Sequence, residues 1–282
     1  EDNNPIFVRD IPYSLYIFLE NFFDPAHIPF AHHKLQSERK LASSVNSSVI
    51  EMNNETLKIS FEDNTLNNNN YRNGTMIFHN PCHYILNNTY PEIFISKLHI
   101  YCVPILPFDT RVFIQQEFKN NITKNFFSII PKWFKHTITQ SFFDSDTMLL
   151  YRQEKYLREN NILHNCTRSY ITPTSSDYSI HMFHKWKNMY PHKWSNIINT
   201  KNINELNRNE IFDRYNRHTK NCKHCNGILN IINKIQMSLP IFILLHGFNS
   251  NQYEIIAIIH IYFFLEYFKS YFIFRDYIHN NL

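Results

Sequence analysis

The sequence predicts an α+β chain: an antiparallel sheet around one long helix, followed by an apolar helical hairpin at the C-terminus. Three observations lead to this. Short runs rich in Val, Ile, Phe, Tyr and Thr recur between residues 45 and 120. Apolar residues return at helical intervals across 131–160. Two long apolar runs lie near the end. Hydrophobic residues make up 43% and charged residues 18% of the 282 positions, enough for a sizeable core and too apolar for wholesale disorder.

In chain order, residues 12–33 read as helix, through Tyr13, Tyr16, Ile17, Leu19, Glu20 and Phe23, until Pro25 and Pro29 bend or break it. Strands are expected at 48–51, 56–62, 75–79, 83–86, 92–103 and 111–118, separated by Asn, Pro and Gly. Pro131 opens a helix carrying Trp133, Phe134, Ile138, Phe142, Met148, Leu149 and Leu150. Residues 168–210 read as mixed and loop-rich, and 210–225 as a polar cluster ending in Cys222 and Cys225. Apolar runs at 228–246 and 255–274 flank a turn at Gly247–Asn251. A membrane span needs about 20 mostly apolar residues. Lys234, His260, Glu266 and Lys269 interrupt these runs, so a membrane hairpin and a pair of buried or surface-lying helices fit equally well. The expected division is a domain at 1–210, a Cys-x-x-Cys segment at 211–227 and an apolar tail at 228–282 for which membrane anchoring is one of the two readings.

A net charge of +4 with no basic concentration gives no sign of a nucleic-acid partner. With only 3 glycines, turns that need positive φ should use Asn or Asp. Tracts such as Asn67–Asn70 read as loop filler, and sequons such as Asn73-Gly74-Thr75 arise by chance in so Asn-rich a chain. Five cysteines (82, 102, 166, 222 and 225) in so long a chain do not suggest a secreted disulfide framework. The start at Glu1 rather than Met leads us to expect a piece of a longer protein, so the lack of a targeting peptide carries no meaning.

The stretch with the most chemistry is Glu20-Asn21-Phe22-Phe23-Asp24-Pro25-Ala26-His27-Ile28-Pro29-Phe30-Ala31-His32-His33. Two neutral imidazoles and one carboxylate on one face of Fe(II) leave positions open for dioxygen and substrate. On a regular helix, side chains five apart point roughly 140° away from each other. His27 and His32 can therefore converge only if the helix is interrupted, which Pro29 could do. Asp24 is placed to hold an imidazole N–H. Against this stands a His-rich loop with no metal, in a chain with 16 histidines. Glu20, Asn21 and Asp24 at fixed offsets make the run more specific than a bare histidine pair.

This run resembles the E-N-x-x-D-P-x-H-x-x-x-A-H-H signature of the pheophorbide a oxygenase family, among the Rieske non-heme iron oxygenases. The resemblance implies that His27 and His32 are iron ligands, with His33 the fallback if the register shifts by one. It gives Asp24 a catalytic part, bridging towards the Rieske cluster of a neighbouring subunit. Residues 143–154 resemble the family's D-x-D-M-x-x-L-x-x-Q-E, which makes Asp146 the third ligand; on its own the pair Asp144 and Asp146 would read as a solvated helix face. Ile130–His136 resembles V-P-R-W-Y-x-H, and Phe274–His279 resembles F-R-D-Y-V-H. Asp213–Cys225 resembles D-R-[FY]-x-x-H-T-x-x-C-x-x-C, which implies that Cys222 and Cys225 are a redox-sensitive dithiol answering to thioredoxin-like partners. Read without the family, the pair could be half a zinc site, with His218 and His224 available to complete it.

The family fold is the helix-grip arrangement. The implied cofactors are mononuclear Fe(II) and a [2Fe–2S] Rieske cluster. Such a cluster needs C-x-H and C-x-x-H, and this sequence has no such pair, so the Rieske domain is expected upstream of Glu1 or lost. Alone, the chain is then not expected to turn over. The implied substrate is a chlorophyll-derived tetrapyrrole such as pheophorbide a. Electrons are implied to come from ferredoxin, the place to be a plastid envelope or thylakoid membrane, and the assembly to be a homotrimer. An alternative is a non-catalytic, redox-sensing plastid membrane partner that has lost the Rieske domain. A third reading is a zinc-binding structural protein using His27 and His32.

Overall fold

A computed structural model describes residues 6–63, 72–89, 95–162, 170–190, 205–246 and 251–279. The chain divides into two compact units. The first holds Glu1–Ile130, Phe142–Glu205 and Ile278–Leu282; the second holds Pro131–Ser141 and Leu206–Tyr277.

The first unit is built on a seven-stranded antiparallel sheet. Its strands are β1 (Phe7–Ile11), β2 (Val45–Met52), β3 (Thr56–Asp63), β4 (Arg72–His79), β5 (His83–Thr89), β6 (Ile95–Leu106) and β7 (Asp109–Phe118). They lie in the order β1-β7-β6-β5-β4-β3-β2, a meander with the first strand returned to the far edge. Alternation selects the inner face: Leu57, Ile59 and Phe61 on β3, Met76 and Phe78 on β4, and Ile100 and Cys102 on β6 are all buried. Gly74 sits where β4 passes under Phe61. A Cβ there would lie 2.3 Å from the Asn87 carbonyl oxygen and 2.6 Å from the Phe61 ring. This glycine is needed for close approach, not for a turn. Among the described residues the positive-φ positions are Lys34 and Asn161, only one of which is the expected Asn.

The helices of this unit are α1 (Leu15–Phe22), α2 (Ile28–Ala31), α3 (Asn121–Ile129), α4 (Lys132–Glu159) and α5 (Tyr178–Met189). α1, α4 and α5 supply core residues to the inner face, whereas α3 has no buried residue. Phe143, Leu150 and Leu157, one every seven residues, are the buried stripe of α4 within this unit. Phe18 of α1 stacks on Phe143 with ring centroids 6.1 Å apart. The Tyr84 hydroxyl donates to the Phe22 carbonyl at 2.7 Å and pins the end of α1 to β5. Trp186 of α5 donates from Nε1 to the Asn53 carbonyl at 2.7 Å, between β2 and β3.

Several sequence expectations need correction. β1 was not expected, because Arg9 and Asp10 break its apolar pattern; Arg9 is nevertheless fully buried. The expected helix at 12–33 is α1, a 3-10 turn at Pro25–His27 and α2. α5 lies within the stretch expected to be loop-rich; its buried residues are interleaved with polar ones. The first residues of the strand expected at 92–103, the Asn67–Asn70 tract, Cys166 and Gly247–Ser250 lie outside the described residues.

The second unit contains the start of α4 together with α6 (Arg208–Ile211), α7 (Arg214–Arg217), α8 (Lys223–His246) and α9 (Gln252–Ile273). Asp213 caps α7, its Oδ1 accepting from the Asn216 N–H at 2.8 Å. Buried Arg214 donates to the Tyr271 carbonyl at 2.9 Å and to Ser141 Oγ at 3.3 Å. Among the described residues the apolar centre of this unit is Cys225, Leu229, Ile232 and Phe272, with Trp133 edge-on to Phe268. Much of α8 and α9 is exposed and apolar, including Ile241, Phe242, Leu244, Phe263 and Phe264. Lys223–Leu244 and Gln252–Ile273 are long and apolar enough to cross a membrane, with mean hydropathies of 1.4 and 1.3.

Candidate metal centre

Asp24 starts the site. Its backbone leaves helical geometry (φ −112°, ψ 85°), and its carboxylate accepts from the Ala26 N–H at 3.0 Å, capping the 3-10 turn Pro25–His27. The break therefore falls before Pro25. Pro29 does not separate the two imidazoles: it occupies the first turn of α2, where a missing N–H costs nothing. His32 is the C-cap of α2 (φ −100°, ψ 31°), outside the regular spiral, and this lets its ring turn back towards His27. The two Nε2 atoms stand 3.3 Å apart.

The other nitrogen of each ring is engaged. His27 Nδ1 contacts the Asp24 carbonyl oxygen, so the backbone of Asp24, not its carboxylate, holds that imidazole. His32 Nδ1 lies 2.6 Å from Ser145 Oγ on α4. Fixing Nδ1 in this way leaves each Nε2 turned to the shared point. Ser145 was not singled out in the sequence; it lies beside Asp146 and carries no motif of its own.

Asp146 arrives from α4. Its Oδ2 lies 3.6 Å from His32 Nε2 and accepts a hydrogen bond from Asn21 Nδ2 at 3.1 Å. One ligand atom from each of His27, His32 and Asp146 falls within 4.8 Å of the others. Asp144, two residues earlier, faces elsewhere and forms a buried ion pair with Arg9 at 2.5 Å. Neither aspartate is a solvated helix face. His33 is also turned away: its Nδ1 accepts from the Arg39 N–H at 3.2 Å. Glu20, from the first motif, is held by two side chains. Gln153 donates to Glu20 at 2.7 Å, and His184 Nε2 stands 3.1 Å from the same carboxylate.

The electrostatics suit a cation. Burial, with His27 and His279 adding to it, lowers the His32 pKa to about 3, so the ring is neutral at pH 7. Burial raises Asp146 to about 6, against the opposing pull of His27 and the Asn21 hydrogen bond. Asp24 is likewise pushed up by burial, partly offset by His27. Asp146 Oδ1 is buried and has no hydrogen-bond partner among the described residues. Ligands about 2.1 Å from one octahedral ion and adjacent to each other stand about 3 Å apart, close to the distances seen. The three residues fit a mononuclear iron ion.

Glu154, near the end of the same motif, is buried and accepts from the Ser14 N–H at 3.0 and 3.2 Å. Burial raises its pKa to about 7. A carboxyl raised in the fold binds its proton more tightly there than in the unfolded chain, so it costs stability as pH climbs from its unfolded value to about 7. Glu154→Gln is expected to gain on the parent protein over that window, by on the order of 3 kcal/mol. Urea midpoints of both proteins between pH 5 and about 8 check this; a constant difference would refute it.

Cys222 and Cys225, expected as a dithiol, lie in the second unit beside two imidazoles. Cys222 Sγ is 3.3 Å and Cys225 Sγ 3.6 Å from His136 Nδ1, and Cys225 Sγ is 3.3 Å from His218 Nε2. His136 had been noted only as a landmark in Ile130–His136.

Comparison with known proteins bears out the resemblance. The pheophorbide a oxygenase family model matches residues 78–162. Flavonoid 8-hydroxylase 2 of Ocimum basilicum, a chloroplastic protein, is 25% identical over 248 residues, covering 82% of this chain and 47% of that protein. The chloroplastic pheophorbide a oxygenase of Oryza sativa subsp. japonica is 25% identical over 260 residues, covering 81% of this chain and 46% of its own. The chain thus spans about half the length of the curated relatives it matches. Among solved structures, dicamba monooxygenase bound to dicamba aligns with a TM-score of 0.49 at 9% identity, over 67% of this chain and 59% of that one.

Proposed function

We propose that this chain, similar to the pheophorbide a oxygenase family, is the mononuclear-iron catalytic part of a Rieske-type oxygenase acting on a chlorophyll-derived tetrapyrrole. The observation that carries the reading is the convergence of His27, His32 and Asp146 from two distant stretches of sequence. Ferrous iron, if held by these three residues, would supply dioxygen activation. The chain's own residues do the positioning. The Asp24 carbonyl and Ser145 hold the rings in the tautomer that presents Nε2, and Asn21 holds the Asp146 carboxylate. Burial keeps the His32 ring neutral and so able to act as a ligand.

Asp24, at the start of the His27 turn, is our candidate for the link towards a [2Fe–2S] Rieske centre of a neighbouring subunit, which ferredoxin would reduce. The chloroplastic relatives favour a plastid setting, and the exposed apolar surface of α8 and α9 favours contact with its membrane. The relatives also raise a second substrate class, flavonoids.

The test is single-variable. The iron-loaded protein, with its Rieske partner domain, ferredoxin and isotopically labelled dioxygen, is offered pheophorbide a or a flavone. Label in the tetrapyrrole is the expected result. Label in the flavone alone would move the substrate class. No label in either, with iron present and the Rieske centre reduced, would overturn the enzymatic reading and leave the non-catalytic partner.

A further inference from the structure

We propose that His136, His218, Cys222 and Cys225 form a second metal centre, a structural zinc site in the second unit. The four residues come from three places: α4, the junction that ends α7, and the start of α8. All four offer a ligand atom within 4.8 Å of the others, and three of the four are buried. Three of their six edges can be compared with those of a tetrahedral ion. Sulfur about 2.3 Å and nitrogen about 2.0 Å from zinc set sulfur–nitrogen edges of about 3.5 Å. Three of the four sulfur–nitrogen edges here are 3.3, 3.6 and 3.3 Å.

The ligand chemistry points the same way. Two thiolates and two imidazoles are a standard donor set for a closed zinc site, and two thiolates balance the charge of the ion. A redox dithiol needs two sulfurs and some means of activating one. It does not need imidazole nitrogens aimed at both sulfurs from two separate parts of the chain. His224, next to Cys225, stands outside the group; its ring is 6.4 Å from that of His136. The fourth ligand comes instead from far upstream, which sequence spacing could not show.

The site also answers a need of the fold. The second unit joins Pro131–Ser141 to Leu206–Tyr277, and its described apolar centre is small, with Cys225 itself a member. A metal held by His136 on one segment and three ligands on the other would staple the two together, as small domains with thin cores require.

The experiment uses the full chain carrying His27→Ala and His32→Ala, which silences the first centre. Grown with zinc, it is expected to retain about one equivalent by elemental analysis. Cobalt in place of zinc is expected to give the intense visible bands of a tetrahedral ion with thiolate charge transfer. His136→Ala should lose the metal. His136→Cys, which restores a fourth ligand, should keep it, so that loss in His136→Ala is not mistaken for misfolding. The proposal is overturned if the reduced chain takes up neither zinc nor cobalt, if it is isolated with a Cys222–Cys225 disulfide and binds no metal once reduced, or if His136→Ala binds as well as its parent.

Discussion

Asp146→Asn is expected to strip the first centre of iron while leaving the fold intact. Loss of a residue that merely orients a ligand typically costs metal affinity 10–100-fold, so loss of a ligand should exceed about a hundredfold. Iron per chain should fall to background, and dioxygen-dependent turnover of the assembled enzyme should fall with it. The fold should survive because Asp146 does not hold it together: burial raises the pKa of this carboxyl to about 6, so its charge is a liability without a cation. Elemental analysis and thermal melting on the same preparation separate the two effects. Undiminished iron in Asp146→Asn would remove Asp146 from the ligand set and, with it, the oxygenase reading.

Asp144→Ala, two positions away, is expected to do the opposite. Arg9 is fully buried on β1 and pairs with Asp144. Removing one member of a buried ion pair leaves an uncompensated charge and typically costs about 3–5 kcal/mol. The urea midpoint should drop sharply with no change in slope if unfolding stays two-state. Replacing both partners together, Arg9→Met with Asp144→Leu, should recover a large part of that loss, because neither charge is then stranded. An unchanged midpoint in Asp144→Ala would show that the pair contributes nothing. The contrast between the two aspartates is the sharper test: one variant loses metal, the other stability.

The strands were legible where alternation was clean. Residues 56–62 were expected and β3 runs Thr56–Asp63; 111–118 was expected and β7 runs Asp109–Phe118. β1 was hidden by Arg9, which pattern reading counts as polar and the fold counts as core. α5 was hidden because its buried Phe183, His184 and Trp186 sit among the polar His181, Lys185, Lys187 and Asn188. At the first centre the histidine pair was legible from local chemistry, and Asp146 only through the resemblance. Without that, Asp144 and Asp146 look alike, and only three-dimensional packing distinguishes their partners. Ser145 carried no signal of its own and His136 only its place in Ile130–His136, because the residues they contact lie far away in sequence.

The placement of β1 has a consequence for how the molecule is made. Phe7–Ile11 pairs with Thr110–Ile114, and Arg9 meets its counter-charge only on α4. On a ribosome, this segment emerges long before its neighbours exist, so it must wait unpaired while the rest of the meander zips hairpin by hairpin. Such distant pairing slows folding and exposes the nascent chain to off-pathway association. Until this edge strand docks, Arg9 stays in water and Asp144 on α4 lacks its buried partner; docking of the last strand joins the two.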